Sequence, residues 1–542
     1  MTLICFEGQA QSRLKKDETK MAERRKIRRR GSRQDTSSKP VNKGLSSGSV
    51  QLLTDIDKDR IHQAALEVLE TVGFAEAPDF TRERLIQAGC VEAPGGRITF
   101  PRQVVEDAIA RANTSLVLYG QSPEHDVELS GSRTYYATGC GSILLVDAVT
   151  RETRSMTAAD IYDFARIADA LDNIDVFHRC GTPTDVEDID LVDLNLFYAC
   201  ISGTSKPVSL SWFNGENVKR SVEMMHDVLG GEAVWRARPC VSNVCCFVVP
   251  PLKFAAESCL GLEYSVAMGM PVHLCSSGQL GATSPVTFAG SIVQCMAEVL
   301  GGLVYALAVS PDAKVFLGTW PLVSDLRTGA AAAGSGEQAL LSSAACQMSR
   351  YYNLPNGTVS GISDSKLPDA QSGAEKALQH CFIGNSGGNL LYCGGGSLAT
   401  GLGNSQAGLV IDNDIIAMAK RTIRGFSVDD GELAVDMIRQ TCIGGEGHYL
   451  GDPETLARMK SSFAYPEVAD RMSLKDWSKA GGDSILDHAT RRANNILSNH
   501  FPAHIRPEAD AKLRRAFECA ISPDRMRAGD GPRLTERKRS IA

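Results

Sequence analysis

The sequence predicts an α/β fold: a (β/α)8 TIM barrel with an N-terminal helical cap and a C-terminal helical extension. Three observations point there. Eight short β-rich runs each precede a helix-patterned stretch, the count of a barrel rather than of a doubly wound sheet. No GxGxxG follows the first run, which argues against a dinucleotide-binding sheet. Many of the 50 glycines gather where the β-rich runs end.

Residues 1–50 form the first predicted segment. They hold 13 Lys/Arg against five Asp/Glu, with a dense run RRKIRRRGSR at 24–33, and leave a net −15 for the rest of a chain whose total is −7. Such a segment lacks the apolar residues for a core and reads as a basic disordered extension. A nucleic-acid arm, a solvated extension and a start at Met21 all remain open for it. Residues 51–133 follow as the cap, with helical apolar spacing at 57–72, 81–88 and 101–112. The barrel spans 134–426. Its strands are expected at 134–137, 174–178, 207–212, 241–248, 272–275, 314–317, 358–360 and 390–392. Its helices are expected at 158–171, 189–202, 216–229, 254–268, 287–308, 337–352, 371–384 and 408–423. The extension, 427–542, is expected to pack on the barrel's outside or rim.

Composition narrows the class. With 43 % hydrophobic and 22 % charged residues, the chain has ample core for a globular protein. No apolar run is read as a membrane span, and MTLICF is too short for a secretory signal. The 16 cysteines have neither disulfide-framework spacing nor the paired spacing of a zinc site, so reduced thiols and no bound metal are expected. A cytoplasmic protein follows.

Barrel chemistry sits at the C-terminal ends of the strands. The side chains expected there include His178, Trp212, Gln279, Trp320, Ile362, Asp364 and Tyr392. Glu337, at the start of a helix, is either first-turn charge favoured by the helix dipole or a side chain aimed into the barrel mouth. Tryptophan and tyrosine around a cavity suit a quaternary ammonium, at about 0.5–2 kcal/mol per contact. Trp212 and Trp320 are therefore expected to hold the cationic end of a ligand, with Tyr392 either a further wall or turned outward. His178, Asp364 and Glu337 are expected to position polar groups, and Gln279 to contact substrate.

The stretch GTVSGISDSKLPDAQSG at 357–373 resembles the trimethylamine methyltransferase family of corrinoid-dependent enzymes. Its Ser363-Asp364-Ser365-Lys366-Leu367-Pro368-Asp369 matches the Ser-Asp-Ala-Lys-x-Pro-Asp run that follows pyrrolysine in founding members. Further matching segments are Thr71-Val72-Gly73-Phe74, residues 281–302, VIDNDI at 410–415 and DWSKAG at 476–481. The resemblance runs from about residue 54 to 502. It implies a (β/α)8 catalytic domain and transfer of a methyl group to the cobalt of a separate corrinoid protein. This chain would thus bind no cofactor itself, the cobalamin being carried by the partner. Ile362 stands at the pyrrolysine position. The resemblance implies that pyrrolysine members bind a tertiary amine through an electrophilic imine, which isoleucine lacks. Relatives without pyrrolysine include demethylases of glycine betaine, proline betaine and carnitine.

The resulting expectation is a methyltransferase for a quaternary amine, glycine betaine-like, with Ile362 at the floor of the site. A homo-oligomer is expected, with neither membrane nor nucleic acid as partner. Two other readings remain: a methyltransferase for another methylated amine feeding tetrahydrofolate, and a non-catalytic methylamine-binding module.

Overall fold

The computed structural model describes residues 44–528 and 534–536. Most of the basic extension expected at 1–50 lies outside these residues. The described residues divide into two units: 427–464, and 44–426 with 465–528 and 534–536.

The larger unit begins with α1 (Asp55–Thr71), α2 (Asp79–Gln87) and α3 (Arg102–Arg111). Thr54 and Asp57 start α1 with a capping box, each side chain taking the other's backbone N–H, which satisfies two donors that a helix start otherwise leaves unpaired. Then strand and helix alternate: β1 (Arg133–Tyr136), α4 (Ala158–Ala170), β2 (Phe177–His178), α5 (Ile189–Gly203), β3 (Val208–Leu210), α6 (Glu216–Leu229), β4 (Val241–Cys245) and α7 (Ala256–Ala267). The series continues with β5 (Val272–Ser276), α8 (Phe288–Val309), β6 (Val315–Thr319), α9 (Gly336–Tyr351), β7 (Asn356–Val359), α10 (Ala370–Asn385), β8 (Leu390–Tyr392) and α11 (Gln406–Arg424). All eight expected strands and all eight helices are present, with ends shifted by a few residues.

The eight strands form one curled parallel sheet in the order β1-β8-β7-β6-β5-β4-β3-β2. A two-residue strand, Leu45–Ser46, adds antiparallel to the start of β1, and past it β1 and β2 approach each other through a parallel bridge between Ala137 and Val176. At that seam Asp175 accepts from the Tyr136 N–H at 2.9 Å and pairs with Lys420 of α11 at 2.9 Å, both side chains buried. The strands are buried on both faces; β6, for instance, reads VFLGT with every residue inside. A parallel sheet covered on both sides demands such unbroken apolar runs, which is why they were recognisable.

Two features were not foreseen. The cap contains two hairpins, 91–93 with 97–99 and 115–118 with 127–130. The second contributes Leu116, Leu118, Val127 and Leu129 to the cluster inside the curled sheet. Strands of three or four residues give too little alternation to stand out. In addition, α8 is long and apolar enough to cross a membrane by length and composition, contrary to the expectation that no such segment exists. It is instead mostly buried, with α1, α2 and α3 packed against it.

After α11, α12 (Ile485–Asn499) and α13 (Pro507–Ala516) belong to the same unit as the sheet. Arg166 of α4, fully buried, donates to the carbonyls of Leu497 and His500 at 2.7 and 2.8 Å. The smaller unit contains helices Val435–Cys442 and Pro453–Ser461, with Arg458 paired to Glu432 and Glu454.

Candidate functional site

The interior of the curled sheet holds a ring-lined cluster. His178 of β2, His273 of β5, Phe316 of β6, Trp320 just beyond β6 and Tyr392 of β8 converge there. His273 stacks between Phe316 (4.4 Å) and Tyr392 (4.9 Å), while His178 meets Tyr392 edge-on at 5.1 Å. Trp320 lies 5.2 Å from Tyr392, 5.7 Å from His273 and 6.4 Å from His178. Glycine at 357 on β7 makes this possible, because a Cβ there would stand 2.7 Å from His273 Nε2 and 2.9 Å from the Tyr392 ring.

Polar atoms in this layer are mostly matched. The Tyr392 hydroxyl bonds Ser209 Oγ at 3.1 Å, and Ser242 donates to the same Ser209 oxygen. His178 Nδ1 meets the Ser209 carbonyl at 3.0 Å, and His273 Nε2 meets the Gly357 carbonyl at 3.3 Å. Burial lowers both histidines to a pKa of about 3, with the Arg179 charge adding to the effect at His178. Both imidazoles are therefore neutral at pH 7. Trp320 Nε1 is buried without a hydrogen-bond partner among the described residues. Such an orphan is uncommon in native structures and leaves an indole donor free for a ligand.

The end of β7 carries the motif. Ile362 is 7 % exposed and joins Val359, Tyr392, Cys393 and Ala333 in the interior cluster, with Trp320 and Cys140 packed alongside. Gln379 of α10 holds its backbone: the amide oxygen accepts from Gly361 N–H at 2.9 Å, and the amide nitrogen donates to the carbonyls of Ile362 (3.1 Å) and Ala333 (2.9 Å). Gly361 has φ +95°, and a side chain there would overlap the His380 ring. His380 itself is fixed between Ser360 Oγ and the Gly394 carbonyl.

The remaining motif residues mainly brace the loop. Asp369 is the N-cap of α10 and also accepts from Ser365 Oγ at 2.9 Å. Lys366, exposed, donates to the Asp364 carbonyl at 2.7 Å. Ser363 Oγ and the Asp364 N–H both donate to Glu375. The half-buried Asp364 carboxylate accepts from Thr400 Oγ1 at 3.1 Å. Burial raises its pKa, and the nearby Glu375 charge adds to that.

Two expected placements need correcting. Trp212 and Trp320 do not form a joint cage. Trp212 gives its indole N–H to Ser221 Oγ of α6 at 3.0 Å and packs in the cluster between sheet and helices, whereas Trp320 faces the interior. Glu337 does not reach the mouth either. It is exposed and lines a hollow with Leu340, Leu378 and Phe382, because the neighbouring Gln338 is the residue that turns inward, donating to the Pro321 carbonyl. Gln279 is half-buried, on a two-residue strand paired with 322–323 that extends the rim beyond β5 and β6.

Sequence reading passed over His273, Arg179 and Glu298. Glu298 of α8 is fully buried and accepts from Ser276 Oγ (2.5 Å), Leu252 N–H (2.9 Å) and Gln294 (3.1 Å). It ties the end of β5 to the 250–252 loop, and burial raises its pKa. Cys140 and Cys393 bring their sulfurs to 3.0 Å at the mouth. Among the described residues no three His, Cys, Asp or Glu side chains converge as metal ligands. A separate hollow of about 260 Å³, lined by Asp147, Arg154, Asp160 and Thr535 among others, shares no residue with this interior.

Fold and site together define a mixed α/β protein whose curled parallel sheet encloses an aromatic interior, with an aliphatic side chain at the end of β7. Comparison with known proteins gives the family. The trimethylamine methyltransferase (MTTB) family matches residues 19–519, and the chain belongs to it. Trimethylamine methyltransferase MttB of Desulfitobacterium hafniense is 32 % identical over 84 % of this chain and 91 % of its own length. MttB of Methanosarcina thermophila is 30 % identical over 84 % and 94 %. The glycine betaine methyltransferase of Desulfitobacterium hafniense is 28 % identical over 85 % and 95 %. Among solved structures, dihydropteroate synthase of Xanthomonas albilineans matches 57 % of this chain and 99 % of its own at 12 % identity and a TM-score of 0.34, too low to bear on function.

Proposed function

We propose that this protein transfers a methyl group from a quaternary amine of the glycine betaine type to the cobalt of a separate corrinoid protein. The observation that carries the reading is Ile362. Overall identity does not choose between trimethylamine and glycine betaine, since the relatives named for each lie at 28–32 %. The chemistry of one position does. An aliphatic side chain in the interior cluster against which Trp320 packs has no electrophile with which to hold a tertiary amine. A quaternary nitrogen needs none, because it already carries full positive charge and leaves as a neutral tertiary amine.

The Co(I) centre of the partner supplies the nucleophile: the methyl–nitrogen bond breaks with its electron pair left on nitrogen as the methyl–cobalt bond forms. This chain's task is proximity and alignment. Trp320 presents its ring to the ammonium, Ile362 supplies apolar floor, and the neutral His178 and His273 add no competing positive charge. Since charge leaves the nitrogen in the transition state, one aromatic face is better suited than a full cage, which would favour the ground state. The sheet is also proposed to close as a (β/α)8 barrel; the Ala137–Val176 bridge and the Thr138 N–H bond to the Val176 carbonyl support that.

The test is a panel of glycine betaine, proline betaine, carnitine and trimethylamine, incubated with reduced cobalamin or corrinoid protein and followed by the absorbance of methylcobalamin. At least one quaternary amine should react.

A further inference from the structure

A fixed cation stands at the mouth of the interior. Arg179 follows β2 immediately, next to His178, and its charge is felt by the thiols of Cys140 and Cys246. Cys140 packs against the same interior cluster as Ile362 and Trp320. The Arg179 guanidinium lies 5.5 Å from the centre of the Phe213 ring, and one terminal nitrogen makes a long bond, 3.3 Å, to Thr182 Oγ1. Its Nε is buried and has no partner among the described residues.

No carboxylate pairs with it among the described residues. The acidic group whose field reaches it most is Asp193, but Asp193 is committed elsewhere. Its oxygens accept from the backbone N–H groups of Phe213 and Asn214 and from the Asn217 amide. Glycine at 141 leaves the guanidinium accessible, since a Cβ there would stand 2.8 Å from Arg179 Nη2. A half-buried guanidinium without a counter-ion is costly to maintain. Its planar fork fits a carboxylate through two parallel N–H···O bonds. Burial also lowers the Arg179 pKa, the direction expected of a cation lacking its anion.

We propose that Arg179 binds the carboxylate of the substrate, so that the substrate class is zwitterionic: a quaternary ammonium and a carboxylate in one small molecule. This rests on the quaternary-amine reading above. It goes further by excluding choline-like and tetraalkylammonium donors, which carry no carboxylate, as good substrates. It also assigns the two ends of the ligand, with the ammonium toward Trp320 and Ile362 and the carboxylate toward Arg179.

The test is binding by titration calorimetry of glycine betaine, proline betaine and carnitine, each beside its carboxamide, with tetramethylammonium as the cation alone. In the unaltered protein, the best betaine should bind about ten- to a hundred-fold more tightly than its amide, the range for hydrogen bonds to charged groups. In Arg179→Gln that advantage should collapse to within about three-fold, with tetramethylammonium binding unchanged, and Arg179→Lys should retain part of it. Equal affinity for betaine and amide in the unaltered protein would overturn the proposal without recourse to any variant. So would a parallel loss for betaine and tetramethylammonium in Arg179→Gln, or no binding by any betaine. Binding that follows this pattern without methyl transfer to reduced corrinoid would sink the proposed function and leave the anchor standing.

Discussion

Gln379 of α10 grips the backbone of Ile362: its amide nitrogen donates to the Ile362 carbonyl at 3.1 Å while its amide oxygen accepts from the preceding N–H at 2.9 Å. The glutamine is fully buried. Position 362 is therefore set by the helix behind it, and its side chain is aimed inward whatever its chemistry.

Replacing Gln379 with Leu leaves the Gly361 N–H and the Ile362 and Ala333 carbonyls without partners. Each buried orphan costs about 1–3 kcal/mol, so urea denaturation should show a loss of at least about 2 kcal/mol and methyl transfer should fall with it. A loss below about 0.5 kcal/mol would mean that the β7 end is held by other contacts.

The two tryptophans should behave differently. Trp320→Leu keeps apolar bulk but removes the ring face, and affinity for the cationic substrate should drop by about 0.5–2 kcal/mol. A carbon isostere such as 3,3-dimethylbutyrate should lose little. Trp212→Leu should leave both affinities within two-fold and lower the melting temperature, since Trp212 is bonded to Ser221 and packed between sheet and helices. Equal losses for charged and neutral ligands in Trp320→Leu would make Trp320 a plug rather than a cation contact.

The buried histidines fix a pH dependence. His178, His273 and His380 are each lowered by burial to about 3, against about 6.5 in an unfolded chain. Between those values the unfolded state binds more protons. Stability is thus fully present above pH 6.5 and is lost as pH falls toward 3, by up to about 1.4 kcal/mol per histidine per pH unit. Glu298 and Asp412, raised by burial, act in the opposite sense between about 4 and their raised values. A variant separates the contributions: His273→Gln should lose stability less steeply than the unaltered protein between pH 6.5 and 5, as read by denaturant titrations at each pH. Identical slopes would show that His273 is not buried neutral.

Much of this was legible in the sequence, for identifiable reasons. Strands covered on both faces leave apolar runs, and the first cap helix showed in its apolar spacing from 57, although its capping box at Thr54 and Asp57 was not read. Reading the strand ends placed His178, Trp320, Ile362 and Tyr392, which the structure brings together. The same rule misplaced Trp212, because a rim position does not decide which way a side chain turns. A serine one helix later, Ser221, decided it. His273 was missed because it lies within β5 rather than at its end. Its one signal was a polar residue in the otherwise apolar PVHLC. Arg179 was hidden behind His178, one residue past the point where the rim was read. Glu337 drew attention as the charged member of a helix start whose buried member is Gln338.

The central claim is that Ile362 turns the site from tertiary to quaternary amines, and one comparison tests it directly. Methylcobalamin formation is followed with the unaltered protein and reduced corrinoid, with trimethylamine in one cell and glycine betaine, proline betaine or carnitine in others. The account predicts no transfer from trimethylamine above the protein-free background and measurable transfer from at least one betaine. Comparable rates from trimethylamine and the betaines would contradict it, since a site that demethylates a tertiary amine with isoleucine at 362 does not need the electrophile on which this reading of the position depends.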